Sequence, residues 1–448
     1  MARLVRFRVL EGVGVVTLDA EPVNTLSAPL RAGLWEAFIR IDANPDIKAV
    51  VLIASGRMFS AGVDIREFGK PAKQPSLAQQ PSLAQLCDRI ESCTKPVVAA
   101  FHGLALGGGA ELLLAAHYRL ASPDAKIGLP EVIMGLVPGG GGTQRLPRLI
   151  GAPRALQMMI STVAVEASVA YRSQLVDGIV QGDLASGAIA FALNLIEHGN
   201  GPRRTRDNRS HLMDGRGYSA AIAKWRAALA DNPLHAPRRV LDCVEASALL
   251  PFDAGLAFEA DAFERCLAHP QSIALRHVFM AERKIDNALI ERDGTAFRPV
   301  NPMGKSTVQR LRNAMRAAAD YLVESGVSAD DVDGAMVAYG FRMGPFGGKG
   351  DKTQNDTIAR RLVAALLVEG CACVAEKAVQ RPSDIDALAV YGMSFPRRAG
   401  GPMRAMQSAG LIGVRKDLRV WGEDSTIWAA PDLLDQAIKD ARGFDSLG

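Results

Sequence analysis

No Cys-x-x-Cys pair occurs in this 448-residue chain. Its cysteines, Cys87, Cys93, Cys243, Cys266, Cys371 and Cys373, are scattered. Neither a zinc site nor a thiol redox motif is therefore expected, and no metal ligands are assigned. Cys371 and Cys373 fall in an apolar, helix-like run and read as core. Such cysteines suit a reducing compartment. Aromatic residues make up 6% of the chain, too few for a base-stacking platform. The formal net charge is only +4, which gives no case for nucleic acid, although a mildly basic surface suits an anionic cofactor. A long uncharged hydrophobic run is also missing. Residues 97–116 come nearest to one, but His102, Glu111 and several glycines interrupt them and argue against a membrane span. Residues 1–10 are basic without a long apolar stretch and are not expected to be a signal peptide. Asp445-Ser446-Leu447-Gly448 is not a peroxisomal address. The expected location is the cytoplasm.

What is present is the composition of a globular protein, 48% apolar and 22% charged. The length exceeds one ordinary core and implies two or three domains. Residues 1–198 read as alternating strands and helices. The apolar, β-branched runs 13–18, 49–54 and 96–101 predict buried strands, and 118–121 predicts a further one. Strand, crossover and strand in this order imply parallel α/β packing. Residues 199–217 are rich in arginine, glycine and polar side chains and read as an exposed linker. A helical stretch follows to about residue 290, with Trp225, Leu229, Val240, Leu250, Phe258 and Phe263 expected to be buried. Residues 291–305 read as a second polar linker. The organisation expected is 1–198, then 199–300 as linker and helical segment, then 301–448 as a helical domain.

That last block contains a weak internal repeat. One copy runs through Asp331-Val332-Asp333-Gly334-Ala335, Tyr339-Gly340-Phe341 and Gly344-Pro345-Phe346. The other runs through Asp384-Ile385-Asp386-Ala387-Leu388, Tyr391-Gly392-Met393 and Gly401-Pro402-Met403. Two similar helical units are implied, with a structural or docking role.

Three segments carry chemistry. In His102-Gly103-Leu104-Ala105-Leu106-Gly107-Gly108-Gly109-Ala110-Glu111 the consecutive glycines would weaken any regular element. They make sense where backbone must approach a ligand, at a helix start whose free N–H groups favour an oxygen gaining negative charge. The competing reading is an ordinary tight turn with Glu111 as a helix-start carboxylate. In Phe59-Ser60-Ala61-Gly62-Val63-Asp64-Ile65, a loop entering a helix, Asp64 is a candidate cap and the N–H of Val63 a second donor. In Ile127-Gly128-Leu129-Pro130-Glu131-Val132 a carboxyl sits among apolar residues, where it is either partnered or functional. Two glutamates in one apolar site can divide proton removal from water and proton delivery to carbon, which suits hydration of a double bond conjugated to a thioester. The four glycines 139–142 lack the Gly-Lys-Ser/Thr ending of a phosphate loop.

Together, Gly-Gly-Gly-Ala-Glu and Leu-Pro-Glu followed by Gly-Gly-Thr-Gln-Arg-Leu-Pro resemble the crotonase, or enoyl-CoA hydratase/isomerase, family. The resemblance implies a spiral of ββα turns and an oxyanion hole of backbone N–H groups at Val63 and Gly108. By the same resemblance Glu111 helps activate water and Glu131 is the main acid/base at the α-carbon. Ala61, Asp64, Ile65 and Gly107 would line the CoA and substrate path, and an acyl-CoA thioester would be the substrate. Ala281-Glu282-Arg283-Lys284, Phe395-Pro396-Arg397 and Gly400-Gly401-Pro402-Met403 resemble the linker and paired C-terminal dehydrogenase units of the bifunctional hydratase/3-hydroxyacyl-CoA dehydrogenases.

The chain departs from that family where a dinucleotide-binding domain would lie. No Gly-x-Gly-x-x-Gly follows a strand there, and Gly344-Pro345-Phe346-Gly347-Gly348-Lys349-Gly350 lies between helical segments. No NAD is expected, and coenzyme A enters only as part of the substrate. The expected fold class is thus α/β, a crotonase-like ββα spiral, then a helical linker and an all-α C-terminal domain. The expected activity is enoyl-CoA hydration. Δ3-Δ2-enoyl-CoA isomerisation or another enolate-type lyase reaction is the alternative, and a non-catalytic acyl-CoA-binding scaffold is the rival of another class. The bifunctional relatives are usually monomers, so the resemblance favours a monomer over a trimer.

Overall fold

The structure is a computed structural model that describes residues 4–68, 80–293, 296–299, 302–350, 355–440 and 442–447. Residues 1–3 and 448, part of the termini read above for targeting signals, lie outside the described residues. So do 294, 295, 300 and 301 of the expected second linker. The chain divides into two compact units, Met1–Ala268 and His269–Gly448.

The first unit begins with β1 (Val5–Leu10), β2 (Val13–Leu18), α1 (Ala28–Ala43), β3 (Ala49–Ala54), α2 (Leu83–Glu91), β4 (Val97–Phe101), β5 (Leu104–Leu106) and α3 (Gly108–Ala115). It continues through β6 (Tyr118–Ala121), β7 (Lys126–Gly128), α4 (Gly142–Ser161), β8 (Val165–Glu166), α5 (Ala167–Arg172), β9 (Gly178–Ile179) and α6 (Leu184–Glu197). Six strands form one sheet in the order β1-β2-β3-β4-β6-β9, parallel except for the β1–β2 hairpin. A smaller sheet has the order β5-β7-β8.

Both faces of the large sheet are covered. Val13, Val15, Ala49, Val51, Val98 and Ala100 pack with Ala188, Ala192 and Leu195 of α6 on one side. Val16, Leu18, Val50, Leu52, Val97, Ala99 and Phe101 point into the main core on the other. Alternate residues are thus buried on opposite faces, which is why these strands read as unbroken apolar runs.

The chain makes the same move three times. It leaves the large sheet, touches the small one, then starts a helical turn. β4 leads to β5 and α3. β6 leads to β7 and a 3-10 turn, Glu131–Met134. β3 leads to Ser60, which bridges to Ala105 of β5, and then to the 3-10 turn Ile65–Glu67. These are the ββα turns of a crotonase-type spiral.

Residues 199–268 are not a free linker. Thr205 is buried and donates through its hydroxyl to the Leu114 carbonyl at 2.9 Å. Arg206 reaches the buried Glu91, with its N–H 2.8 Å from Oε1. Three helices follow, α7 (Gly215–Ala228), α8 (Ala236–Leu249) and α9 (Phe252–Ala268), and their buried residues join the main core. The arginine-rich composition looked solvated, but Arg206 answers the buried Glu91 and Arg203 pairs with Asp177. Leu229 and Val240 are buried as expected, whereas Leu250 and Phe258 are exposed.

The second unit contains α10 (Pro270–Lys284), a hairpin of β10 (Ile290–Asp293) and β11 (Ala296–Pro299), and α11 (Pro302–Glu324). Then come α12 (Ala329–Tyr339), α13 (Asp356–Ala375), α14 (Pro382–Gly392), α15 (Pro402–Ser408), α16 (Leu411–Asp424) and α17 (Asp432–Lys439). It is a helical domain around α13, where Cys371 and Cys373 lie buried in the core. Its repeat has a structural counterpart. Asp333 of α12 accepts from the N–H of Phe346 at 2.9 Å, and Asp386 of α14 accepts from the N–H of Met403 at 2.8 Å. In each copy a buried aspartate holds the third residue of a Gly-Pro-x turn.

Candidate active site

The residues singled out by sequence come together because each sits where one turn of the spiral passes from strand to helix. Gly107 has φ 54° and ψ −124°, a region open in practice only to glycine. Its N–H donates to the Gly128 carbonyl at 2.9 Å, which ties the second turn to the third. A Cβ there would lie 3.1 Å from Glu131 Oε1. Gly108 opens α3, and a Cβ on it would lie 3.1 Å from Val63 Cγ1, so the two candidate donors are neighbours. Among the described residues neither the Val63 nor the Gly108 N–H is given to a protein acceptor.

Ser60 anchors the Val63 loop. Its hydroxyl donates to the Asn24 carbonyl at 2.8 Å and accepts from the Gly62 N–H at 3.1 Å. Ala61 donates its N–H to the Val23 carbonyl at 2.9 Å, with an exposed side chain. Ile65 is half-buried at the start of its 3-10 turn. Asp64 caps that turn, accepting from the Arg66 N–H at 3.0 Å and pairing with the Arg66 guanidinium at 2.8 Å.

Glu111, on the first turn of α3, is 2% exposed. Its Oε1 accepts from the N–H groups of Gly140 at 2.6 Å and Gly142 at 2.9 Å. Burial pushes its carboxyl up, while those N–H groups pull the other way. Glu131 is 8% exposed, and its Oε2 has no protein partner among the described residues. Burial, with the charge of Glu111 added, drives its carboxyl well above the carboxylate range. The two acids are therefore buried together but held differently, one by two donors and one nearly bare.

The site contains a third acid that sequence reasoning missed. Glu259 of α9 is 1% exposed. It accepts from the Gly141 N–H at 2.6 Å, the Thr143 N–H at 2.8 Å and the Thr143 hydroxyl at 2.5 Å. Burial first, then the charge of Glu111, pushes its carboxyl up to about 8. The signal was in the sequence. Gly255, Glu259, Ala262 and Cys266 form the buried stripe of an amphipathic helix, and only Glu259 is charged. Its neighbours on α9 also reach the glycine turn. A Cβ on Gly139 would lie 2.9 Å from the Phe263 ring, and one on Gly141 would lie 3.1 Å from Leu256. Phe263 meets Phe68 edge to face at 5.8 Å.

From the other side Arg145 braces the same turn, donating to the Gly140 carbonyl at 2.8 Å. It pairs at 2.8 Å with Glu91, which is fully buried. Burial pushes Glu91 up, but Arg145 and Arg206 outweigh it and hold its carboxyl low.

A buried acid pair thus lies beside two unused backbone donors, at successive turns of a ββα spiral. Residues 8–213 match the enoyl-CoA hydratase/isomerase family, and this part of the chain is a domain of that family. The chain is 36% identical over 281 residues to a peroxisomal fatty acid beta-oxidation multifunctional protein of Arabidopsis thaliana, covering 61% of this chain and 39% of that protein. It is likewise 36% identical over 277 residues to a peroxisomal bifunctional enzyme of Danio rerio, covering 61% of this chain and 37% of the relative. The chain thus spans well under half the length of these relatives. A Geobacillus kaustophilus structure described as an enoyl-CoA hydratase subunit aligns at 28% identity with a TM-score of 0.39, over 63% of this chain and 96% of its own. Glu259 lies beyond the residues matched to the family.

Proposed function

We propose that the first unit hydrates 2-enoyl-CoA thioesters to 3-hydroxyacyl-CoA. The observation that carries this reading is the unequal pair Glu111 and Glu131. Environments that push two acids apart assign one as base and the other as acid. Glu111, held by two N–H donors, is the carboxylate that takes a proton from water. Glu131, without a partner on Oε2, carries the proton that goes to carbon. The water oxygen bonds to C3, the C2=C3 electron pair takes up the Glu131 proton at C2, and the water proton stays on Glu111. Exchange through water returns that proton to Glu131. The negative charge that develops on the thioester oxygen meets the N–H groups of Val63 and Gly108. Ala61, Asp64, Ile65 and Gly107 line the approach of the CoA ester in this reading.

A second reading rests on the same bare oxygen. A lone carboxyl at Glu131 can move a proton between two carbons, so Δ3-Δ2 isomerisation is the accompanying activity. Hydride transfer is left out, because no Gly-x-Gly-x-x-Gly turn follows a strand after Ala268. The six free, buried cysteines fit a cytoplasmic setting. Loss of the conjugated absorbance of crotonyl-CoA, followed with purified protein, tests the proposal. Saturable binding of the ester without turnover of any enoyl-CoA would replace it with the scaffold reading.

A further inference from the structure

Four consecutive N–H groups of the glycine turn alternate between two acids. Gly140 and Gly142 donate to Glu111, and Gly141 and Thr143 donate to Glu259. The two carboxyls therefore flank one stretch of backbone, both almost completely buried. Among the described residues no cation forms an ion pair with either. Arg145, the positive group that acts on Glu111, is paired with Glu91. Other groups around the pair are Glu131, Cys87 from α2 and Cys243 from α8, and none of them brings a positive charge. Gln144 donates to the Thr143 hydroxyl at 2.9 Å and to the Cys243 carbonyl at 2.9 Å, so the Glu259 side of the turn is fixed in place. Like charges in so dry a site cannot both ionise at ordinary cost.

We propose that Glu111 and Glu259 hold a single negative charge between them, with Glu259 as the positioning residue that sets, through the 140–143 turn, when Glu111 is available as a base. This deepens the hydratase reading and rests on it for its catalytic meaning. When water gives its proton to Glu111 and Glu131 gives its own to carbon, Glu111 and Glu259 are both protonated and the single negative charge passes to Glu131, so no bare charge pair arises during the cycle. The raised carboxyl of Glu259 agrees with this arrangement.

The test is carbon-13 NMR of the full chain labelled at the glutamate carboxyl carbons, with signals assigned by their loss in Glu111→Gln and Glu259→Gln. In the unaltered protein the Glu111 signal should titrate in two steps, as coupled groups do. In Glu259→Gln the step that Glu111 shares with Glu259 should be gone, and Glu131→Gln identifies any step that Glu111 shares with Glu131 instead. The pH profile of kcat/KM for crotonyl-CoA should lose the same step, with KM changed less than kcat. Thr143→Val removes a donor from Glu259 without altering its charge. It should shift the charge toward Glu111, so that more of the Glu111 signal change falls in the lower step. An unchanged Glu111 titration in both Glu259→Gln and Thr143→Val overturns the proposal. A two-step titration in a protein that turns over no enoyl-CoA would leave the shared charge standing and remove the hydratase reading instead.

Discussion

The proposed hydration rests on Glu111 and Glu131. Glu111→Gln and Glu131→Gln should each lower turnover at least roughly a hundredfold, the scale of a lost general acid or base. Full activity in either variant, measured with crotonyl-CoA, would remove that residue from the mechanism. Glu131 must be protonated to act as the acid and is raised by burial, so the rate should fall as pH rises through its pKa. Stability has the same sign at Glu259. Its folded carboxyl binds a proton more tightly than the unfolded chain does, so its contribution is complete below the ordinary carboxylate range. That contribution is lost as pH rises toward about 8. The urea midpoint should fall across that window, and Glu259→Gln should flatten the fall. Glu91 behaves differently, because its partners hold it ionised. Glu91→Gln removes the buried partner of Arg145, leaving it the more exposed Asp88, and should cost up to roughly 3–5 kcal/mol, read as a lower urea midpoint.

At the scale of the element, the site depends on where strands end. Gly107 is the joint between β5 and α3, and its backbone angles exclude a side chain. Gly107→Ala should cost on the order of 1–3 kcal/mol in strain. It should also lower turnover, because the new methyl group meets Glu131 Oε1. A variant with unaltered midpoint and rate would show that the turn is less constrained than its geometry implies. The helix α9 illustrates how an element changes meaning with context. As sequence it is an amphipathic helix in a segment set apart as linker. In the structure its buried stripe delivers Glu259 to the glycine turn, with Phe263 and Leu256 beside it.

At the scale of the whole chain, an α/β spiral is joined to a helical unit whose two Gly-Pro-x turns are held by Asp333 and Asp386. The sequence contains no Gly-x-Gly-x-x-Gly, and the proposed chemistry uses no dinucleotide. Incubation with 3-hydroxyacyl-CoA and NAD should therefore yield no NADH, measured by its absorbance. Production of NADH would overturn that part of the reading.

Local pattern determined much of this by itself. The buried strands were legible because both faces of the large sheet are covered, so their residues are apolar at almost every position. Glu111, Glu131, Val63 and Gly108 were legible because each is embedded in a glycine-rich or proline-marked turn. The helical repeat was legible because its aspartates and Gly-Pro turns recur. The stripe of α9 marked Glu259 as an inward-facing acid but not what it meets, since its partners are two backbone N–H groups and the Thr143 hydroxyl more than a hundred residues away, and a backbone donor leaves no mark on composition. Arg206 escaped for a related reason. An arginine in a polar stretch looks solvated until the fold brings Glu91 to it. Only tertiary structure decides which buried charges share a neighbourhood, because that depends on chain segments meeting in space.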